Sequence, residues 1–279
     1  MAAGMTLTAG GDISTQDLNS SSFSRKGTVG NGGAMTLTAG GEIKAIKNEF
    51  NNEFPVFSSF SVSQTGNSGQ GGDVTLAAKN EITDLYILTL SSSSKSGDVQ
   101  ISSFGDLLIK NTKIITSRQL IINNPLTQQE ITLDVSGVGQ SGNVSINSKG
   151  NLTFNNTRIE SDTRSSNPAG NVNITSPGIV TFNNNSKITS NTSSQGKAGS
   201  IQIDAKELNL TDASEISAST TADGKAGDIT LNTPTLTVSN GAKIFAPLQA
   251  KVMAVKSPLM HPIKLILVSV FKTFFLFFS

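Results

Sequence analysis

Carboxylates are the residues of this chain best able to do chemistry, because paired acids on one exposed sheet can bind a cation or act as acid and base. Four similar segments carry neutral side chains at the solvent-facing position of a predicted strand, namely Ser145, Asn173, Gln202 and Thr230. The position after the opening glycine of each segment holds one acid among Asn143, Asn171, Ser200 and Asp228. Asp204 and Asp212 belong to different predicted strands. The sequence therefore predicts scattered, solvent-facing carboxylates.

Other catalytic and metal-binding patterns are weaker still. A Ser-His-Asp triad needs a positioned histidine, and the single histidine, His261, lies near the end of the chain. Residues 69–74 resemble one calcium-binding nonapeptide but do not continue in tandem. The glycines of residues 30–33 precede no predicted helix, so they do not indicate a phosphate site. We predict no catalytic, cofactor-binding or metal-binding residue, and no cofactor.

The charge balance excludes a nucleic-acid-binding surface built on excess positive charge. The chain has 21 basic and 20 acidic residues among 279, and charged residues make up 15% of it. Soluble domains average about 25% charged residues. Neutral polar side chains suit a stacked fold, in which like residues of successive layers lie side by side without repulsion. Cysteine is absent, which excludes disulfides and thiolate chemistry.

The elements that position these residues are set by an internal repeat. A glycine, a small polar residue and an alternating aliphatic pair recur at Gly72, Gly97, Gly142, Gly170, Gly199 and Gly227. Related segments begin at Ala3 and Gly33. From Gly142 onward these glycines are 28, 29 and 28 residues apart, and the looser earlier spacings of 39, 25 and 45 indicate loops inserted into some units.

Each regular unit predicts three short strands with one apolar face, since side chains alternate faces with a period of two. In the unit from Gly142 the apolar positions are Val144 and Ile146, then Leu152 and Phe154, then Ile159. Later units repeat them as Val180, Phe182 and Ile188; Leu208, Leu210 and Ile216; Leu236, Val238 and Ile244. Turn-forming residues separate the second and third strands at 155–157, 183–185, 211–213 and 239–241.

Three one-sided strands in a common register favour a coil in which each unit stacks on the last. A doubly wound parallel sheet would need helical crossovers, and a β-sandwich predicts no common register across units. We predict an all-β fold, a right-handed parallel β-helix (solenoid) with about three short strands per coil of about 28 residues. The shaft covers residues 1–245, with irregular coils in 1–141 and regular coils in 142–245. Residues 246–279 form an aberrant apolar tail.

Three strings give the repeat a family resemblance: MTLTAGGEI at 35–43, LTVSNGAKI at 236–244 and GKAGDI at 224–229. They resemble shaft repeats of cyanobacterial large exoproteins of the filamentous-haemagglutinin type, and the resemblance covers about residues 1–245. It implies two-partner secretion through an outer-membrane β-barrel transporter, display or release outside the cell, and adhesion. The family's N-terminal secretion domain and signal peptide have no counterpart here, so we expect a fragment of a longer parent.

Four phenylalanines stand apart from the repeat. Phe50, Phe54, Phe57 and Phe60 are spaced by four, three and three residues, which permits one face of a short helix. The interpretation we favour is an amphipathic loop element that covers the side or end of the rod. The alternative is an exposed apolar patch that binds a partner.

The tail departs from the repeat after Ile244, and five of the 14 phenylalanines lie in the last nine residues. One hypothesis is a frameshift just after Ile244. The rival is a membrane anchor over residues 263–278, which contains Lys264 and Lys272 and is shorter than the roughly 20 apolar residues of a spanning helix. If translated, the tail is expected to pack on the open end of the rod or to aggregate.

These observations predict a structural or adhesive shaft that is not an enzyme. Its expected partners are the outer-membrane transporter of the full-length parent and a surface or carbohydrate ligand, with no nucleic acid. A polysaccharide-active β-helix enzyme, either a lyase or a hydrolase, is the alternative from another class. A non-functional truncated remnant is the third.

Overall fold

The structure is a computed structural model, and it describes residues 2–46, 55–63, 65–116, 119–123, 130–134, 139–247, 266–270 and 273–277. Within these ranges the chain is all-β, without a helix, and its parallel strands stack in a solenoid of about seven turns. At about 4.8 Å per layer, seven steps make a rod about 34 Å long. The parallel β-helix predicted from the repeat is therefore confirmed.

The strands form three columns that run along the rod. The first column contains Met5–Ala9, Met35–Ala39, Val74–Ala77, Val99–Ser102, Val144–Asn147, the first parts of Val172–Asn183 and Ile201–Leu210, and Ile229–Asn232. The second contains Ile13–Thr15, Ile43–Ala45, Glu81–Thr83, Leu107–Lys110, Leu152–Asn155, the second parts of the same two long strands, and Leu236–Val238. The third contains Leu18–Asn19, Val56–Ser58, Tyr86–Leu88, Lys113–Ile115, Arg158–Glu160, Lys187–Thr189, Glu215–Ser217 and Lys243–Pro247.

The register matches the repeat residue by residue. One inward position of each column is occupied by Val144, Val172, Ile201 and Ile229; by Leu152, Val180, Leu208 and Leu236; and by Ile159, Ile188, Ile216 and Ile244. These side chains belong to a continuous apolar core that extends from Ile13 to Ile244. Burial of each large aliphatic or aromatic side chain contributes about 1.5–3 kcal/mol. Stability therefore accumulates layer by layer.

The glycine that opens each unit is required by close stacking. The N–H of Gly170 donates to the Ser161 carbonyl oxygen at 3.3 Å, and the Ser161 hydroxyl donates to the Gly142 carbonyl oxygen at 2.6 Å. A Cβ on Gly170 would overlap both the Gly142 carbonyl oxygen and the Ser161 hydroxyl. The equivalent glycines of neighbouring coils meet the carbonyl oxygen of the glycine one layer below in the same way. Glycine therefore recurs because there is no room for a Cβ between the layers, and not because the backbone angles require it.

The turns between the second and third columns use left-handed backbone, as the sequence predicted. Positive φ angles occur at Asp84, Asn111, Asn156, Asn184, Asn185, Asp212, Ala213, Asn240 and Gly241. Asparagine, aspartate and glycine adopt this region at low cost. The turn residues thus keep the corners of successive coils aligned.

The irregular coils contain additional strands. The coil between Gly97 and Gly142 holds an antiparallel hairpin of Gln119–Asn123 and Glu130–Asp134. In the first two coils Ser22–Ser24 pairs in parallel with Ser61–Ser63. The hairpin accounts for the spacing of 45 residues between Gly97 and Gly142, and the columns stay in register across it.

The short helix permitted by the phenylalanine spacing is wrong for residues 55–63. Phe57 lies in strand Val56–Ser58 and is fully buried in the main core. Phe60 lies just before strand Ser61–Ser63 and packs on a second apolar cluster outside the third column. The two rings therefore belong to different apolar clusters. Phe50 and Phe54 lie outside the described residues.

In the tail, two strands are described, Ile266–Val270 and Thr273–Phe277, which pair antiparallel with each other. Thr273–Phe277 also pairs antiparallel with Lys243–Pro247, so that Ile244 lies opposite Leu276. No helix in the described part of the chain is long and apolar enough to cross a membrane. The rest of the tail, including His261 and Lys264, lies outside the described residues. The frameshift stays a prediction.

Candidate functional site

Most acids near the repeat glycines act as hydrogen-bond acceptors between layers. Asp73 Oδ1 accepts the N–H of Asp98 at 2.8 Å, and Asp98 Oδ1 accepts the N–H of Asn143 at 2.7 Å. The amide oxygens of Asn143 and Asn171 continue this series by accepting the N–H of Asn171 and Ser200 at 2.9 and 2.8 Å. An Asp or Asn here satisfies a backbone donor that the coil leaves free. These carboxylates therefore have a structural role.

A second series lies at the corner between the first and second columns. Asp106 Oδ1 accepts the N–H of Asn151 at 2.7 Å, and Asn151 Oδ1 accepts the N–H of Ile179 at 2.9 Å. A third begins at Asp162, whose Oδ1 accepts the N–H of Asn191 at 2.7 Å. Burial raises the pKa of Asp162, and this hydrogen bond partly offsets the increase. The acids are thus distributed among several corners of the rod.

The acids and polar residues considered for polysaccharide chemistry do not converge on one site. Ser145, Asn173, Gln202 and Thr230 stack in register on the first column. Asp204 binds the side-chain amides of Gln202 and Asn232 at 2.8 and 2.5 Å. Asp212 is at a corner of another column, where its carboxylate accepts the Asn240 amide at 3.3 Å. Among the residues with described positions, no three His, Cys, Asp or Glu side chains form a group that could hold a metal ion.

A cavity of about 230 Å³ lies at the corner between the second and third columns. We name it the corner groove and define it by Tyr86, Asn111, Lys113, Asn156 and Arg158. Leu85 and Thr112, both buried, form its floor. The groove spans three layers, which is about 10 Å along the rod.

The corner groove has two parallel walls, because in each of three coils a turn residue lies on one side and the strand residue two positions later lies on the other. One wall is the turn series of Asp84, Asn111 and Asn156, in which the Asn111 amide donates to Asp84 Oδ1 at 3.0 Å and the Asn156 amide donates to Asn111 Oδ1 at 2.9 Å. The other wall is the register series of Tyr86, Lys113 and Arg158, two residues further along each coil. Amides thus face an aromatic ring and two cations.

The groove ends where the corner becomes longer by a residue. Two residues, 156 and 157, connect strand Leu152–Asn155 to strand Arg158–Glu160. Three residues, 184–186, connect the corresponding strands one coil later. The extra residue has positive φ and widens the turn. Three neighbouring coils, those that contain residues 84, 111 and 156, therefore share a two-residue corner; the first coil also has one, at residues 16 and 17, but the second coil separates it from them.

The charges at the groove are only partly paired. The Lys113 ammonium lies 5.0 Å from the centroid of the Tyr86 ring, which is a cation–π contact. Arg158 Nε donates to the Glu160 carboxylate, and Lys187, one layer further, pairs with Glu215 at 2.8 Å. Burial, and secondarily the Glu160 charge, raises the pKa of Tyr86 to about 12, so its hydroxyl is neutral near pH 7. The groove therefore offers hydrogen-bond donors, and the Tyr86 ring supports the Lys113 ammonium.

Sequence reasoning missed this groove, although a signal was present. The inward residues of the second and third strands are five positions apart in Ile82 and Ile87, in Ile109 and Ile114, and in Phe154 and Ile159. They are six apart in Phe182 and Ile188, and also in the two later coils. The turn triplets at 155–157 and 183–185 look equivalent in the sequence, and this similarity conceals the one-residue difference in corner length. Counting between inward residues would have located the tight corners.

Comparison with known proteins does not assign this chain to a family: no family model, no curated protein and no solved structure matches it.

Proposed function

We propose that this chain is a structural and adhesive shaft of a secreted or surface-displayed exoprotein of the filamentous-haemagglutinin type. The proposal includes export of the parent protein through an outer-membrane β-barrel transporter. In this role the rod holds a binding surface away from the cell, and its own side faces contribute to attachment.

The observation that carries the proposal is the use of polar side chains along the rod. Asp73, Asp98, Asp106 and Asp162 hold backbone donors of the next layer and do not converge on a shared substrate position. A hydrolase or lyase needs acids held together at one place. The repeat strings at 35–43 and 236–244 support the exoprotein family.

The test is an attachment assay with the purified full chain. Beads coated with the folded chain are expected to resist detachment by flow from bacterial and abiotic surfaces, while beads coated with heat-denatured chain are released. Incubation of the same preparation with polygalacturonate should leave its chain length unchanged. Equal release of both bead types, or shortening of the polysaccharide, would contradict the proposal.

A further inference from the structure

The corner groove is a cavity in which cations, amides and an aromatic ring meet. We propose that it binds the carboxylate of an acidic polysaccharide, one uronic acid at a time, with the sugar chain lying along the rod. This inference rests on the proposed adhesive function and identifies the class of ligand that the rod holds.

The cations favour an extended ligand with widely spaced charges. Lys113 and Arg158 are register partners, so their backbones are one strand spacing apart, about 4.8 Å along the rod. A chain lying in the groove passes first one cation and then the other. Asp84 lies at the other end of the groove, where a densely charged polyanion would be repelled. The groove thus combines two cations, of which Arg158 is already paired with Glu160, with the carboxylate of Asp84, and this balance suits isolated negative charges better than a dense polyanion.

The donor geometry favours a carboxylate. Arg158 uses Nε to hold Glu160, which orients the guanidinium and leaves its terminal nitrogens free for a planar oxyanion. The amides of Asn111 and Asn156 are fixed by their mutual hydrogen bond, and each retains a second N–H for a sugar hydroxyl. The chain of hydrogen bonds that starts at Asp84 therefore preorganises the wall.

Tyr86 contributes a hydrogen-bond donor at the same place. Its ring packs on the second apolar cluster and carries the Lys113 ammonium, while its neutral hydroxyl remains a donor. The ring therefore holds the Lys113 cation at the groove. A uronic acid beside this wall places its carboxylate toward Lys113 and Arg158.

The binding test uses the full chain and polygalacturonate, with uncharged dextran of similar length as the control ligand. Lys113→Gln combined with Arg158→Gln is expected to weaken polygalacturonate binding by about tenfold or more, since charge-assisted hydrogen bonds are lost. The matched variant is Lys79→Gln combined with Lys149→Gln, which removes two exposed cations at another corner, from the coils that contain Tyr86 and Arg158. It should change the affinity by no more than about twofold at 0.15 M salt.

Two arms separate specific binding from simple charge attraction. Dextran sulfate and single-stranded DNA should bind more weakly than polygalacturonate. Their affinities should fall by the same factor in the groove variant and in the matched control variant. Equal loss of polygalacturonate binding in both variants, or no loss in the groove variant, would overturn the inference. Both variants should retain the far-ultraviolet circular dichroism of the wild type, since both pairs lie on the surface.

The same samples distinguish this inference from the proposed function. Cleavage of polygalacturonate by a wild-type chain that binds it through the groove would refute the adhesive role and leave the groove assignment intact. Bead attachment that is identical in wild type and in a groove variant deficient in binding would preserve the adhesive role and assign attachment to another face. Wild type that does not bind polygalacturonate would refute the groove assignment alone.

Discussion

Individual side chains in this rod are selected by what lies one layer above and below. The repeat glycines leave room for a carbonyl oxygen, and the Asp or Asn that follows accepts an N–H from the next coil. Ser161 and Ser190 are buried, and each hydroxyl donates to a repeat-glycine carbonyl at 2.6 Å. Neutral polar residues are therefore abundant because they complete the backbone hydrogen bonding of a stacked coil.

At this scale Gly170→Ala is expected to lower the free energy of unfolding by about 2 kcal/mol or more, because the new methyl group would overlap backbone atoms of the layer below. Urea unfolding of the full chain, followed by circular dichroism, measures the change. Gly105→Ala is the matched control, since nothing lies within 4 Å of its added Cβ. Similar losses in the two variants would contradict the stacking explanation.

Between residues and the whole rod, the corners are the elements that differ from coil to coil. The corner that ends the third column contains the series Asp162, Asn191 and Ser219, in which Asp162 Oδ1 and Asn191 Oδ1 each accept the next N–H at 2.7 Å. The corner between the second and third columns has two residues in the coils that contain residues 84, 111 and 156, and at least three residues in the coils that follow. A difference of one residue thus creates a groove on an otherwise uniform surface.

Asp162 makes the stability of its corner dependent on pH. Because burial raises the folded-state pKa of Asp162, its carboxyl group ionises in the unfolded chain at a lower pH than in the folded chain. Its contribution to stability is therefore present below about pH 4 and decreases as pH rises through the folded-state pKa. Asp162→Asn retains the acceptor for the Asn191 N–H and should remove this part of the pH dependence.

Unfolding midpoints in urea at pH 3.5 and pH 7 measure this effect. We expect the stability of Asp162→Asn minus that of wild type to be larger at pH 7 than at pH 3.5. Asp223→Asn, at an exposed loop position, provides the matched control for an acid-to-amide change. A difference between Asp162→Asn and wild type that is the same at both pH values would contradict the role of burial.

At the scale of the whole molecule, the rod is a quasi-one-dimensional stack in which each coil contacts only its neighbours. Inner coils have a partner on both sides. The first strand of the first column, Met5–Ala9, pairs only with Met35–Ala39 among the described strands, and Leu7 is only partly buried. The stability of a coil should therefore depend on its position along the rod.

Amide hydrogen exchange should follow this gradient. The amide of Ile146, in a central layer, is expected to exchange most slowly, and those of Leu7 and Thr230, in the two end layers of the first column, faster by about tenfold or more, because end layers open without the rest of the rod. Mass spectrometry of peptides from the exchanged chain measures the rates. Uniform protection along the rod would show that it opens only as one unit.

The sequence by itself determined the coil. Alternation with a period of two gave the inward residues, the glycine spacing gave the length of a coil, and the Asn-rich triplets gave the left-handed corners, because each is a pattern within one unit of the chain. The short helix suggested by Phe57 and Phe60 was wrong because two spacings cannot distinguish a helix from two short strands whose rings enter different clusters.

The tertiary structure alone decided which side chains meet across layers. Tyr86, Lys113 and Arg158 are 27 and 45 residues apart in the chain, and an insertion of variable length separates the last two. Because the inserted segment lies outside the columns, the three residues still become register partners in successive layers. The sequence marks each tight corner, but the lateral register that joins the corners into one groove and sets the partner of each acid is fixed by the packing of the core.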